Sequence, residues 1–440
     1  MSRRRVPEGE LELQIDDLAD DGRGVGRIQG KAVFVDGGLP GELLRFRYRR
    51  RHSRFDEGEL LQVIRPSPDR VLPRCPHFGV CGGCSLQQLE PARQILRKQA
   101  WLLESLRRLG GVAPEILLPA ITGPLWHYRR RARLGVKYVP GKGRVLVGFR
   151  ERRAPYVADM SVCEVLDSRA AALLQPLATL VGELSLQRRV PQIDVAAGDD
   201  ALALSLRVLD PPSTGDRERL RDFARSHELQ LFLQPGGPDS LLPLEPEAPP
   251  PLRYRLEQWD LDLRFLPGHF VQVNAEVNRQ LVKLALELLA LGPGSQVLDL
   301  YCGLGNFSLA LARVCAQVVG VEGDPALVAW AERNATLNGI ANAQFQVGDL
   351  AREPARQDWA NRRFDRVLLD PPRSGAAETL PLIAAAGPER IVYVSCHPGT
   401  LARDAGRLVR EHGYRLHSAG VLDMFPHTTH VESIALFVRA

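Results

Sequence analysis

Lysine is nearly missing from this chain: only Lys31, Lys98, Lys137, Lys142 and Lys283 stand among its 57 basic residues. Arginine therefore carries almost all the positive charge. Its planar fork binds phosphate and stacks on bases, although a compositional bias of the genome gives the same skew. A large net charge is missing too. The formal balance is +5, which excludes reading the whole chain as a polyanion binder and directs attention to local basic clusters. Long apolar runs are absent. The greasiest helical stretch, residues 281–291, is interrupted by Lys283 and Glu287, so no membrane association is expected. The basic start Met1-Ser2-Arg3-Arg4-Arg5 is not followed by the apolar core of a secretory signal. A reducing, cytoplasmic setting is expected, in which the seven cysteines serve metal binding or catalysis rather than disulfides.

What is present suits a multidomain soluble protein. With 440 residues, 45% hydrophobic and 25% charged, the chain can build two to four cores. Residues 11–66 alternate apolar and polar positions between Gly-rich turns, the pattern of a small β-barrel. Inside it runs Arg45-Phe46-Arg47-Tyr48-Arg49-Arg50-Arg51-His52-Ser53-Arg54. Arginine for phosphates and aromatic rings for bases is the composition of a single-strand nucleic-acid platform; a charged, solvated edge strand has the same look. A second basic-aromatic run, residues 127–133, is open to the same two readings. Next comes Cys75-Pro76-His77-Phe78-Gly79-Val80-Cys81-Gly82-Gly83-Cys84. Three thiols at this spacing in a Gly-containing loop point to a metal centre, with Cys163 the best candidate for a fourth ligand. A solitary, distant fourth thiol leans towards an iron–sulfur cluster, with zinc the competitor. Residues 86–110 predict an amphipathic helix, and 216–227 another.

From about residue 265 strands and helices alternate: strands at 296–300, 317–321, 343–347, 365–369 and 391–395, helices at 276–290, 306–315, 325–338, 376–387 and 400–412, and closing strands near 415–421 and 432–438. This is a doubly wound sheet. The turn Tyr301-Cys302-Gly303-Leu304-Gly305-Asn306 follows the first strand, but Ser308 stands where a dinucleotide fingerprint has its third glycine. Glu322 ends the next strand, where a carboxylate can take ribose hydroxyls. Asp349 ends the third, where an acid can meet an adenine amine. An adenosine ligand without pyrophosphate is indicated. S-adenosylmethionine fits, as in class I methyltransferases, with NAD the alternative. Asp370-Pro371-Pro372-Arg373 closes the fourth strand. It resembles the motif of adenine amino-group methyltransferases, except that those follow the prolines with an aromatic residue.

The strand 391–395 ends at Cys396, on the edge where open α/β sheets place their chemistry. Uracil C5 is a poor nucleophile until a thiolate adds to C6, and a base must afterwards remove the C5 proton. Cys396 suits the first role, with a helix after Pro398 to help ionise it, and Glu432 suits the second. His427 and His430 compete for it. Phe270 is a candidate for stacking on a flipped base, with core packing as the plain alternative.

These motifs, with Phe270-x-Gln272-Val273-Asn274, Ser395-Cys396-His397-Pro398 and His430-Val431-Glu432, resemble the RumA/TrmA-type RNA uracil-C5 methyltransferases over nearly the whole chain, most closely the branch acting on 23S rRNA. The resemblance implies a TRAM-type OB barrel at 1–66 and a central α+β iron–sulfur domain at 67–262. A C-terminal α/β Rossmann-like class I methyltransferase domain would follow at 263–440. It implies a [4Fe–4S] cluster on Cys75, Cys81, Cys84 and Cys163. S-adenosylmethionine would be held by Gln272, Tyr301, Asn306, Glu322, Asp349 and Asp370, with Cys396 as nucleophile and Glu432 as base. It also implies 23S rRNA as partner and no obligate protein partner. As the resemblance has it, tRNA-acting relatives lack the barrel and the thiol cluster, and a second branch acts on another 23S rRNA site with the cluster but no barrel, so residues 11–66 would separate the branches. A non-catalytic RNA binder that senses S-adenosylmethionine is the alternative from another class.

Overall fold

The computed structural model describes residues 9–352 and 358–440, arranged as two compact units. One comprises Met1–Arg97, Phe149–Ala158 and Pro426–Thr429; the other comprises Lys98–Gly148, Asp159–Phe425 and His430–Ala440.

The first unit carries a six-stranded sheet made of Leu11–Gln14, Asp17–Leu18, Arg23–Ile28, Lys31–Asp36, Leu43–Arg51 and Phe55–Arg65. The strand Phe55–Arg65 pairs antiparallel with Leu43–Arg51 and parallel with Lys31–Asp36. Alternating side chains Leu13, Val33, Val35, Leu44 and Phe46 fill the inner face, together with Ile15. Period-two burial decides what the basic-aromatic run can do. Phe46 is 0% exposed, with Tyr48 edge-on to it at 5.2 Å. The expectation that this run offers its aromatics to bases is therefore corrected at Phe46, which is core. The arginines point the other way.

The second unit holds an eight-stranded sheet. Its parallel part, in spatial order, is Ala343–Val347, Gln317–Glu322, Gln296–Leu300, Arg366–Leu369 and Arg390–Ser395. The chain's last strand, Glu432–Arg439, then pairs antiparallel with Arg390–Ser395, and Tyr414–Leu422 lies outside it. The short strand Ile116–Leu117 completes the edge. A separate six-stranded sheet contains Arg131–Val139, Arg144–Gly148, Gln192–Ala197, Leu202–Arg207, Gln230–Gln234 and Leu242–Pro243. The four parallel strands other than the edge strand Ala343–Val347 are buried on both faces and read as near-continuous apolar runs.

Three helices are shorter than their periodicity suggests. The stretch 306–315 is helical only over Ser308–Ala312, and 376–387 only over Leu380–Ala386. The 86–110 helix is α-helical over Pro91–Ser105 and widens to a π-turn over Leu106–Gly110. The end of that turn is Gly110, where a Cβ would lie 2.5 Å from the Ala402 carbonyl oxygen; only glycine permits that approach. The helix Thr214–Ser226 starts from a capping box between Ser213 and Asp216.

Candidate active site

The site is assembled at the carboxyl ends of the parallel strands of the second unit. The strand Arg390–Ser395 stops because Pro398 opens the helix Pro398–His412, whose N-cap is His397. The His397 imidazole accepts the Thr400 backbone N–H through Nδ1 at 3.2 Å. Cys396 thus lies between strand and N-cap, half-buried, as its sequence context predicts. The last rung of the neighbouring ladder pairs Ser395 with Ser433, and the Ser433 hydroxyl donates to the Ser395 carbonyl at 3.1 Å. Cys396 is one residue beyond that rung and Glu432 one residue before it. Antiparallel register therefore sets thiol and carboxyl side by side. Helix dipole, strand end and register together account for the pairing.

The electrostatics follow from burial. Desolvation pushes the Cys396 thiol above its usual value. The Glu432 and Asp370 carboxyls push it further, while Arg373 opposes them by its charge and by a hydrogen bond to the sulfur. Glu432 is 3% exposed, and burial raises it well above the carboxylate range, with Asp370 adding and Arg373 subtracting. Burial likewise raises Asp370. Arg373 also lies 3.2 Å from Nδ1 of His430. His430 is lowered to about 4 by burial and by the charges of Arg373, Lys98 and Arg129 around it, so its imidazole is neutral and Nδ1 is the acceptor. Arg373 was passed over in the sequence for not being aromatic. Its position straight after Asp370-Pro371-Pro372, at a strand end facing a candidate nucleophile, was the signal that could have found it.

The cofactor candidates are distributed around the same edge. Tyr301, Gly303 and Gly305 all have positive φ (63°, 57° and 96°). A Cβ on Gly303 would meet nothing within 4 Å, so the backbone is open there to a ligand. Glu322 accepts the Gly303 N–H and the Asp324 N–H, both at 3.1 Å. Gln272 donates to Asp370 at 3.4 Å. Asn306 accepts from Tyr254 Oη and Asn278 Nδ2, each at 2.9 Å, and donates back to Asn278 at 3.0 Å. Asp349 is exposed and accepts the backbone N–H groups of Ala351 and Arg352. Ser308, which stands where a dinucleotide fingerprint has glycine, donates its hydroxyl to Asp299. Asp299 is buried and raised to about 7, chiefly by desolvation. Phe270 is 62% exposed, so it is not core.

Of the four thiols, Cys75, Cys81 and Cys84 lie in the first unit and Cys163 in the second. Cys75, Cys81 and Cys163 are buried. The Gly83 N–H donates to the Cys81 sulfur at 3.3 Å. Among the described residues, no three His, Cys, Asp or Glu side chains form an assembled ion-binding group. Of the two competing histidines, His427 belongs to the first unit, where its backbone N–H donates to Gln94 Oε1 at 2.8 Å and its Nδ1 lies 3.2 Å from Gln94 Nε2.

A family model described as tRNA (Uracil-5-)-methyltransferase matches residues 93–440. The chain belongs to this family. A TRAM domain model matches residues 9–46. The 23S rRNA (uracil(1939)-C(5))-methyltransferase RlmD of Alkalilimnicola ehrlichii is 52% identical over 437 residues, 99% of this chain and 98% of the relative. RlmD of Xylella fastidiosa is 49% identical over 440 residues, 99% of each chain. Among solved structures, the Pyrococcus abyssi tRNA (uracil-54, C5)-methyltransferase in complex with S-adenosyl-L-homocysteine superposes with a TM-score of 0.73 at 24% identity, covering 97% of this chain and 100% of that one. This likeness in fold corrects one expectation. The unmatched 3% is smaller than the barrel, so the barrel fold extends to a protein named for tRNA.

Proposed function

We propose that this chain transfers a methyl group from S-adenosylmethionine to C5 of a uracil in 23S rRNA, at the position numbered 1939 in the names of its relatives. Relatives of about half identity over the full length support the substrate. The observation that carries the chemistry is the pairing of Cys396 with Glu432 at the end of one ladder, with Arg373 donating to the sulfur.

Arg373 favours the thiolate. The thiolate forms a bond to C6 of the flipped uracil, and the C5–C6 π electrons move onto C5 and the O4 enolate. S-adenosylmethionine supplies an electrophilic methyl, which C5 takes, leaving S-adenosylhomocysteine. Glu432 removes the remaining C5 proton, the C5–C6 double bond re-forms, and the thiolate departs. A carboxyl whose pKa is raised by burial is a stronger base when ionised. Gln272, Tyr301, Asn306, Glu322, Asp349 and Asp370 are the residues proposed to hold the methyl donor. The open backbone at Gly303 and the strand-end acid Glu322 support that reading.

The proposed [4Fe–4S] cluster uses Cys75, Cys81 and Cys84, with Cys163 as the fourth ligand implied by the family resemblance. Burial of Cys75 and Cys81 and the N–H···S bond from Gly83 suit thiolate ligands of an iron–sulfur centre. Anaerobically purified protein is expected to be brown with about four irons per chain, and Cys163→Ser to lose them; a colourless protein holding one zinc would overturn this.

The activity is tested with labelled methyl donor and two substrates, unmodified 23S rRNA and unmodified tRNA, with the product mapped. Label at one 23S rRNA uracil is expected. Transfer to tRNA alone would overturn the substrate, and transfer to neither would favour a non-catalytic sensor. RNA carrying 5-fluorouracil cannot lose its C5 substituent as a proton, so it should trap a denaturation-resistant complex that Cys396→Ala does not form.

A further inference from the structure

Arg373 faces three acceptors at once. Its guanidinium donates to the Cys396 sulfur, lies 3.2 Å from Nδ1 of His430, and acts by its charge on the buried Glu432 carboxyl. A carboxylate draws an arginine fork more strongly than a weakly accepting sulfur does. The guanidinium's own preference therefore does not account for its place on the sulfur, and the backbone that carries it does.

Arg373 stands at the second position of a tight turn. The Gly375 N–H donates to the Pro372 carbonyl at 2.9 Å, and Gly375 takes φ 84°, which glycine adopts without strain. The exit of the turn is bound to the helix Pro398–His412, which starts two residues after Cys396. Oδ2 of Asp404, on that helix, accepts the Ala376 backbone N–H at 2.8 Å. The same oxygen accepts the Tyr393 hydroxyl at 2.8 Å, from the strand Arg390–Ser395 that delivers Cys396. Oδ1 accepts Nε of Arg403 at 2.8 Å, and Arg403 in turn donates to the Ser374 carbonyl at 2.9 Å. A Cβ on Gly375 would lie 2.5 Å from Arg403 and 2.6 Å from Asp404, so the turn is pressed against these side chains. Asp404 is 0% exposed. A carboxylate is costly to bury unless it is hydrogen-bonded and paired, and here every bond joins parts of the site's frame.

We propose that Asp404 is a positioning residue: by joining the 372–375 turn to the strand and helix on either side of Cys396, it holds the Arg373 guanidinium on the sulfur and away from the neighbouring carboxyls. This deepens the function proposed above and rests on the roles given there to Cys396 and Arg373.

The charges that bear on the sulfur are Glu432 from the last strand and Asp370 and Arg373 from the segment after Arg366–Leu369, with His430 beside Arg373. Removing a nearby negative charge would by itself favour the thiolate. Losing Arg373 from the sulfur disfavours it, so the sign of the effect separates the two. The experiment is alkylation of the full-length protein by iodoacetamide from pH 6 to 10, read on the peptide that carries Cys396. It reports the thiolate without RNA or methyl transfer, so failure of the methyltransferase reading would appear separately, as no label in 23S rRNA. Asp404→Asn is expected to slow alkylation about two- to tenfold at pH 7, as for the loss of roughly one hydrogen bond, and to level off at higher pH than the parent. A turn that had merely loosened would expose the sulfur and speed alkylation at every pH. In an Arg373→Gln background the same change should add little, because no guanidinium is left to position. Arg403→Leu replaces a side chain that is 46% exposed, where a substitution costs little stability. It keeps the carboxyl, cuts the bond to Ser374 and should shift the profile the same way, with Arg403→Lys between it and the parent. An Asp404→Asn profile that levels off at the parent's pH or lower would overturn the proposal, as would an effect of full size in the Arg373→Gln background. If Asp404→Asn does not fold, an unshifted Arg403→Leu profile overturns it instead.

Discussion

Replacing Arg373 with Gln should shift the pH dependence of covalent attack without abolishing it. Burial and two carboxyls raise the Cys396 thiol, and Arg373 counters them with charge and a hydrogen bond to the sulfur. A hydrogen bond to a charged group contributes about 1.5–3 kcal/mol, and one pKa unit corresponds to about 1.36 kcal/mol. Losing the guanidinium therefore raises the thiol further, at a cost that corresponds to about a 10- to 100-fold change in equilibrium. Below that pKa the thiolate fraction falls by the same factor, about 10- to 100-fold at neutral pH. The assay is the rate of adduct formation with 5-fluorouracil RNA, followed from pH 6 to 10 under saturating methyl donor. The log rate of both proteins should climb with unit slope, with the variant's curve parallel to the parent's, displaced to higher pH and levelling off later. Arg373→Lys should fall between them, because an ammonium keeps the charge and loses the fork. An unchanged curve, or a slower variant whose rate levels off at the same pH as the parent's, would refute the reasoning: the first would deny the contact any effect on ionisation, the second would make Arg373 a binding residue.

Two stability predictions follow from buried charges. Asp299 is raised to about 7 in the folded protein from an ordinary value of 3.8, so the folded state binds the extra proton between those values. Its contribution is present below pH 4 and lost as pH rises towards 7, up to about 4 kcal/mol. Asp299→Asn, which can still accept from Ser308, should unfold at higher temperature than the parent at pH 8 and lose that advantage at pH 4.5; a pH-independent difference in Tm would contradict this. Lys98 and Asp423 form an ion pair at 2.7 Å with 0% and 3% side-chain exposure, and Lys98 also donates to the Phe425 carbonyl. Asp423→Ala should cost about 3–5 kcal/mol in urea unfolding by stranding the ammonium, and Lys98→Met with Asp423→Leu should recover most of it. Equal losses in the single and double variants would show that the pair is not what matters.

Local pattern in the sequence was enough for every feature that a few neighbouring residues decide. Short apolar runs mark the inner parallel strands, because both faces of such strands are buried. The same rule locates Cys396 at a strand end, since Pro398 cannot continue the ladder and pre-sets a helix start. Period two marks the strands of the first sheet, but not which face of the arginine run meets the core. Phe46 is paired with Leu60 and its ring lies over Gly58, where a Cβ would be 2.5 Å from it. Spatial pairing needed the fold. Glu432 stands beside Cys396 only because the last strand inserts between Arg390–Ser395 and Tyr414–Leu422. Its partner in the sheet is 38 residues away for the Ser395–Ser433 rung, beyond the reach of any local periodicity. Glu432, Asp370 and His430 gain their shifted acidities from the same convergence, because desolvation is a property of the packed site and of no single segment. The sequence by itself determined the elements, the nucleophile's place on one of them and the family; the tertiary structure alone decided which charges share a low-dielectric pocket, since antiparallel insertion and burial are set by contacts between distant parts of the chain.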